Sequence, residues 1–304
     1  MLSKLTKAYE LAFGHHGIEL STMQVKPMKL SICNRIWCNY PFEEAVKRIA
    51  SLGYDGIEIW GCRPHAYTFD MDDEAIRDRK RAIAEAGLEV PCLTPDQFYP
   101  APYINPASPY EKYRRQSIEF LKASLDCAAK FGAPMMSMAP GKCLYGQSKS
   151  NAWQLLVQAV GECADRAKSL GLKLAAEPCP PIETNLMSTL HDFLQLSRDV
   201  NATNLGCLLD IAHQNITHEN CTDFAKILGD KLYHIHISDN GGTMDQGLVP
   251  GDGTVQFQPF MRSLRESGYA GYLSLEMTFN YQQDPDSAAY RAKRFMDNLL
   301  REKA

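Results

Sequence analysis

The chain has no C-x-x-C pair, no apolar run long enough to cross a bilayer and no excess of positive charge. Its ten cysteines are scattered without zinc-finger spacing. That excludes a zinc ribbon and points to reduced thiols in a cytoplasmic protein rather than a disulfide framework. Without a stretch of about 18 apolar residues there is no transmembrane helix, so no membrane partner is expected. Met1–Val25 has no signal-peptide apolar core, because Ala8–Phe13 is too short and carries Glu10. The 32 basic and 36 acidic residues leave a formal net charge of −4, which offers no broad cationic surface to a nucleic-acid backbone. No G-x-G-x-x-G follows any apolar run, which weighs against a dinucleotide site.

What is present is a repeated supersecondary unit. An amphipathic helix ends, a glycine follows, and an apolar strand begins within a few residues. The junctions fall at Gly53, Gly87, Gly132, Gly171 and Gly268. Glycine after a helix takes the left-handed position at no steric cost, and short helix-to-strand connections are the grammar of a parallel sheet. Strands are expected at about 28–34, 55–60, 88–94, 134–139, 172–177, 205–210, 232–238 and 271–276. Helices are expected at about 43–52, 73–87, 109–131, 150–169, 189–198, 221–229, 257–267 and 284–302. Eight such units favour a closed (β/α)8 TIM barrel over an open doubly wound sheet. The fold class is therefore α/β, with residues 28–304 forming a single barrel domain behind a short N-terminal extension, residues 1–27. The Pro- and Tyr-rich stretch Thr94–Tyr110 reads as a long loop of the kind that builds a substrate pocket.

Four apolar runs end in polar side chains. The central one is Asn204–His213, where a buried-strand pattern stops at Asp210 and His213 follows three residues later. Leu172–Glu177 ends in Glu177, Leu232–Ile237 carries His234 and His236, and Gly271–Glu276 ends in Glu276. Strand side chains alternate between the barrel interior and the helix layer. On that alternation Glu177, His234, His236, Glu276, Glu58 and Trp60 all face inward near the C-terminal rim, where barrel active sites sit.

Glu177, Asp210, His236 and Glu276 together supply three carboxylates and one imidazole. Such a set suits one divalent ion per chain, Mn²⁺, Co²⁺ or Mg²⁺, with Zn²⁺ or Ni²⁺ less specific. A ketose could chelate through adjacent carbonyl and hydroxyl oxygens, and the metal would stabilise an enediolate after proton removal. Glu177 and Glu276 could then flank one carbon, one removing the proton and the other returning it on the far face, which is epimerisation.

These residues resemble the metal set of the xylose-isomerase-like TIM-barrel sugar isomerases and epimerases. Within that family the chain is most similar to the ketose 3-epimerases. The likeness is carried by Leu52–Ala66, by Glu177-Pro-Cys-Pro-Pro-Ile-Glu183 and by His234-Ile-His-Ile-Ser-Asp239 followed by Pro250-Gly-Asp-Gly253. The first segment looks particularly like fructoselysine 3-epimerase. The resemblance implies that Glu177 and Glu276 are ligands and the acid/base pair. It makes Asp210 and His236 ligands only, and it gives Glu183 and His213 to substrate oxygens. It also implies a homo-oligomer, dimer or tetramer, with a small-molecule sugar as partner. Free-ketohexose enzymes of the tagatose and psicose type usually carry an Arg soon after the seventh-strand His. Here that stretch is Ser238-Asp-Asn-Gly-Gly-Thr243, without one, which leaves room for a modified sugar.

Other candidates carry two readings each. Trp60, Phe98 and Tyr99 could wall the sugar or simply pack. Arg63 and His65 could touch substrate or cap the helix that begins near Asp72. Glu58 could orient a ligand or form a structural ion pair, His234 reads as a satisfied interior histidine, and Asn34 could reach the pocket. Cys33, Cys62, Cys179 and Cys207 read as packing thiols. Backbone amides at Gly251–Gly253 could hold a phosphate. An aldose–ketose isomerase, or a dehydratase of a cyclic hydroxyketone (3-dehydroshikimate-type), would begin with the same enolisation. Nucleic-acid repair on this barrel would need more metal ligands and a basic surface, and neither is apparent.

Overall fold

A computed structural model describes residues 27–97 and 104–302. Eight parallel strands close in sequential order into one barrel. They are β1 (Lys29–Cys33), β2 (Gly56–Gly61), β3 (Leu93–Pro95), β4 (Met135–Met138), β5 (Lys173–Ala176), β6 (Leu205–Asp210), β7 (Leu232–Ile237) and β8 (Tyr272–Leu275). The ring closes where Lys29 to Ile32 pair with Tyr272 to Leu275. Around it run α1 (Phe42–Ser51), α2 (Asp73–Glu85), α3 (Glu111–Phe131), α4 (Lys149–Ser169), α5 (Leu190–Val200), α6 (Ile211–Thr217), α7 (Cys221–Leu228), α8 (Phe257–Glu266) and α9 (Pro285–Arg301). The extension expected over residues 1–27 lies outside the described residues except for Pro27.

The helices dock through apolar stripes at helical spacing. α1 buries Phe42, Ala45, Val46 and Ile49, and α8 buries Phe257, Phe260, Met261 and Leu264. Their starts are written in the sequence. Asp72 accepts from the Ala75 amide at 2.8 Å, and Thr189 with Asp192 forms a capping box on α5. The strand faces that meet this layer are apolar, with Ile32, Ile57, Ile59, Leu174, Ile235, Leu273 and Leu275 fully buried. The opposite faces carry the polar side chains. Glu58 on β2 bonds to His234 and His236 on β7, and these strands are not neighbours in the ring, so the contacts cross the barrel interior.

The junction glycines Gly53, Gly87, Gly132, Gly171 and Gly268 all have φ between 72° and 86°. Gly132 ends the long helix α3, and a Cβ there would meet nothing closer than 3.5 Å. Gly132→Ala should therefore cost about 1 kcal/mol of stability through backbone conformation alone, read as a lower urea midpoint at unchanged slope.

Two elements differ from expectation. The third strand is only Leu93–Pro95, not 88–94. Pro91 has no amide to donate to the ladder, so the chain touches β2 once earlier, at the Gly56–Glu89 bridge, and pairs again at Leu93. The short helix α6 was not expected. Asp210 starts it, its Oδ1 accepting from Ala212 at 2.7 Å and from His213 at 3.2 Å.

Candidate active site

The C-terminal rim gathers side chains from several strand ends. Glu177 follows β5 directly, anchored by its amide on the Met138 carbonyl at 3.0 Å. Glu276 follows β8 in the same way, its amide on the Ile237 carbonyl at 3.0 Å. Asp210 ends β6, and since Oδ1 caps α6, Oδ2 is left facing the cluster, 3.5 Å from His213 Nε2. His236 is fully buried on β7.

Glu58 fixes the His236 ring. Its Oε1 lies 2.9 Å from His236 Nε2 and its Oε2 lies 2.8 Å from His234 Nε2. Thr94 donates to Glu58 Oε1 at 2.5 Å and receives from Ser137 at 2.9 Å. Burial alone would raise the Glu58 carboxyl, but the charges of His236 and His234 outweigh it and hold Glu58 well below the usual carboxylate range. A carboxylate accepts only, so it takes Nε2–H and leaves Nδ1 of His236 turned to the cluster, where the charges of Glu58 and Glu276 favour a proton against burial and a cation would take that proton's place. Glu58→Gln, which replaces one acceptor oxygen by a donor, should weaken cation affinity about 10- to 100-fold, as measured by titration of metal-stripped protein.

Ligand-type atoms of Glu177, Asp210, His236 and Glu276 all lie within 4.8 Å of one another. His236 Nδ1 stands 2.8 Å from Glu276 Oε2 and 3.7 Å from Glu177 Oε1. Neighbouring ligands on an octahedral ion with bonds of about 2.1 Å are about 3 Å apart, so the quartet is already compact. Glu177 Oε1 and His236 Nδ1 are buried without an aligned hydrogen-bond partner. Atoms of this kind aimed into a shared space fit a divalent cation, which would satisfy both.

Crowding also appears in the proton affinities. Burial, reinforced by the charges of Glu177 and Glu276 against those of His213 and His236, pushes Asp210 up to about 7. Burial acts the same way on Glu177, but the neighbouring imidazoles of His213 and His236 dominate and bring it down to about 2. His213 sits over the cluster with Nδ1 3.3 Å from Glu177 Oε1. Its Nε2 is 4.0 Å from Glu183 Oε1 and 3.9 Å from Asp245 Oδ2. Burial among these acids pushes Glu183 up to about 7.

The pocket above the quartet is lined by Glu177, Glu183, His213, Glu276 and Trp60, all expected, by Asp96 and Gln97 from the stretch expected to build it, and by Arg35 and Asp245, which sequence reasoning missed. Arg63 and His65 are not brought to it. Arg63 is exposed and forks onto Asp70. His65 is buried, with Nδ1 against Asn34 at 2.7 Å and Nε2 against the Tyr40 carbonyl at 2.7 Å, so both its nitrogens are engaged. Asn34 is likewise consumed, accepting from the Trp60 amide at 2.7 Å. Phe98 and Tyr99 lie outside the described residues. The amides of Gly251 and Gly253 are not open to a phosphate, because both donate to Asp239 Oδ2, at 2.9 and 3.0 Å. All ten cysteines are free thiols, and no described helix is long and apolar enough to cross a membrane.

The chain belongs to the xylose isomerase-like TIM-barrel family, whose pattern spans residues 46–299. It is, more particularly, a carbohydrate-acting enzyme of the isomerase and epimerase kind, as its relatives indicate. It is 30% identical to the fructoselysine 3-epimerase of Escherichia coli O157:H7 over 263 residues, 86% of this chain and 94% of that relative. It is 28% identical to the ketose 3-epimerase of Arthrobacter globiformis over 273 residues, 85% of this chain and 86% of that relative. A crystal structure of a D-tagatose 3-epimerase-like protein shares the fold, with a TM-score of 0.77 at 23% identity over 90% of this chain and 97% of that one.

Proposed function

We propose that the protein is a cation-dependent ketose 3-epimerase. The observation that carries this reading is that two carboxylates, Glu177 after β5 and Glu276 after β8, come from strands three apart in the ring to line one pocket, with His236 Nδ1 3.7 and 2.8 Å from them. A divalent ion (Mn²⁺, Co²⁺ or Mg²⁺, with Zn²⁺ or Ni²⁺ less favoured) held by Glu177, Asp210, His236 and Glu276 would polarise the ketose carbonyl and stabilise the negative charge that builds there.

The chain's own residues do the rest. One glutamate takes the C3 proton, and the C–H electron pair moves toward the C2 carbonyl. The other glutamate returns a proton to the opposite face of C3, inverting it. His213 and Glu183 stand beside Glu177 and meet substrate oxygens, while Trp60 offers an apolar wall. Asp96, Glu183 and Asp245 give the pocket acidic groups beyond the quartet. The charge of Asp96 and Asp245 favours a ketose with a cationic amino substituent, in line with the likeness to a fructoselysine enzyme. We place the enzyme in the cytoplasm, where free thiols persist, as a homo-oligomer.

The test is chromatography of a ketose panel that includes fructoselysine, fructose and psicose, incubated with metal-stripped and with reloaded protein. Metal-dependent appearance of the 3-epimer is expected, fastest with the amino-substituted sugar. An aldose product, or loss of water from a cyclic hydroxyketone alone, would replace the epimerase reading.

A further inference from the structure

Arg35 occupies the side of the pocket that belongs to Glu276. It sits in the turn Asn34–Trp37 that follows β1, and β1 pairs with β8 across the barrel closure. Its Nη1 is 3.4 Å from Glu276 Oε1. Its guanidinium rests on two adjoining rings, 4.9 Å from the Trp60 centroid and 4.6 Å from that of Phe279. A flat cation stacked on aromatic faces loses most of its freedom before any ligand arrives, which a lysine could not reproduce. Its contact with Glu276 is longer than the 2.7–2.9 Å or so of a closed charge-assisted bond. Its Nε is buried and has no hydrogen-bond partner among the described residues. Guanidinium carries five N–H donors, so this side chain has donors to spare where it lines the pocket.

We infer that Arg35 is a positioning and substrate-contact residue that serves one half of the acid/base pair: it sets the stance of Glu276 and gives its spare donors to a sugar oxygen on that side. The inference rests on the epimerase reading. The two carboxylates share His236, but His213 stands against Glu177 alone and Arg35 against Glu276 alone, so each has one supporting group of its own. Loss of Arg35 must then slow C3 proton exchange of the two epimers unequally, while inversion, whose forward and reverse rates are tied by the equilibrium constant, falls from both. The epimer whose C3 proton faces Glu177 can still be deprotonated and reprotonated by Glu177. The epimer that faces Glu276 cannot be opened efficiently at all.

The experiment compares wild type with Arg35→Met, Arg35→Gln and Arg35→Lys, all metal-loaded, starting from each pure 3-epimer in D₂O. Deuterium gain at C3 without inversion and deuterium gain with inversion are followed separately, and bound metal is counted. From the Glu177-facing epimer, Arg35→Met should keep wash-in near the wild-type rate while inversion falls by about 10²-fold. From the other epimer both should fall. Arg35→Lys should recover part of the inversion rate, and bound metal should stay unchanged, since Arg35 is not a ligand. Equal losses of wash-in from both epimers, unchanged rates, loss of metal or loss of folding in every variant would each overturn the inference while leaving the epimerase reading intact. Wild type that exchanges no C3 proton with any ketose would remove both.

Discussion

Glu276→Gln lowers the turnover number for C3 epimerisation by about 10³-fold, the middle of the range for one positioned acid or base. The amide keeps one oxygen for the cation but presents its NH2 group to Arg35, so folding changes little and cation affinity falls far less than turnover. What it loses is the ability to hold a proton. Glu177→Gln is equally inactive, with a further effect. Glu177 carries the charge that His213 and His236 lean on, at 3.3 and 3.7 Å, and those contacts hold its carboxyl down at about 2. A neutral side chain there loosens both imidazoles, so this variant should also lose cation affinity. Glu183→Gln is the contrast. Glu183 is not in the quartet, and its loss should raise KM for substrate with a smaller change in turnover. Steady-state assays with a metal count on each variant separate the three outcomes.

The second large effect concerns the cation itself. Chelation should abolish activity, and reloading should restore it. Binding stabilises the folded chain by mass action, by about 2.7 kcal/mol when free metal is 100 times its dissociation constant, and this shows as a rise in melting temperature. Asp210→Asn should remove that rise. Its carbonyl oxygen can keep the cap on Ala212 and His213, while the amide nitrogen replaces the oxygen that faces the cluster. The metal-free variant should be no less stable than metal-free wild type. Substitution removes a buried carboxylate from the company of Glu177 and Glu276, whose charges help burial hold Asp210 up at about 7. A variant that still gains stability from metal would exclude Asp210 from the cation site.

Much of this architecture could be read from the chain because it rests on short-range rules. Period-two alternation placed His234 and His236 on one face, and runs ending in a carboxylate marked Glu177, Asp210 and Glu276. Five glycines at helix ends set the repeat. Glu58 and His234 were visible as candidates, but their partnership was not, since it joins residues 176 positions apart across the barrel. Arg35 gave no signal for the same reason. It stands in an aperiodic turn and meets Glu276 across 241 positions. Asp245 lies in a polar, glycine-rich loop where one acid looks like any other. Arg63 and His65 were drawn toward the site by sequence nearness to Trp60. Loop geometry decides otherwise, sending Arg63 out to Asp70 and tucking His65 under Asn34 and Tyr40.

The most direct test is proton NMR of metal-loaded enzyme with an amino-substituted ketose in D₂O, beside the same protein stripped of metal. The account predicts loss of the C3 proton signal together with growth of the 3-epimer, only when the cation is present. Exchange confined to C1, or none from any ketose while one cation per chain stays bound, would contradict it.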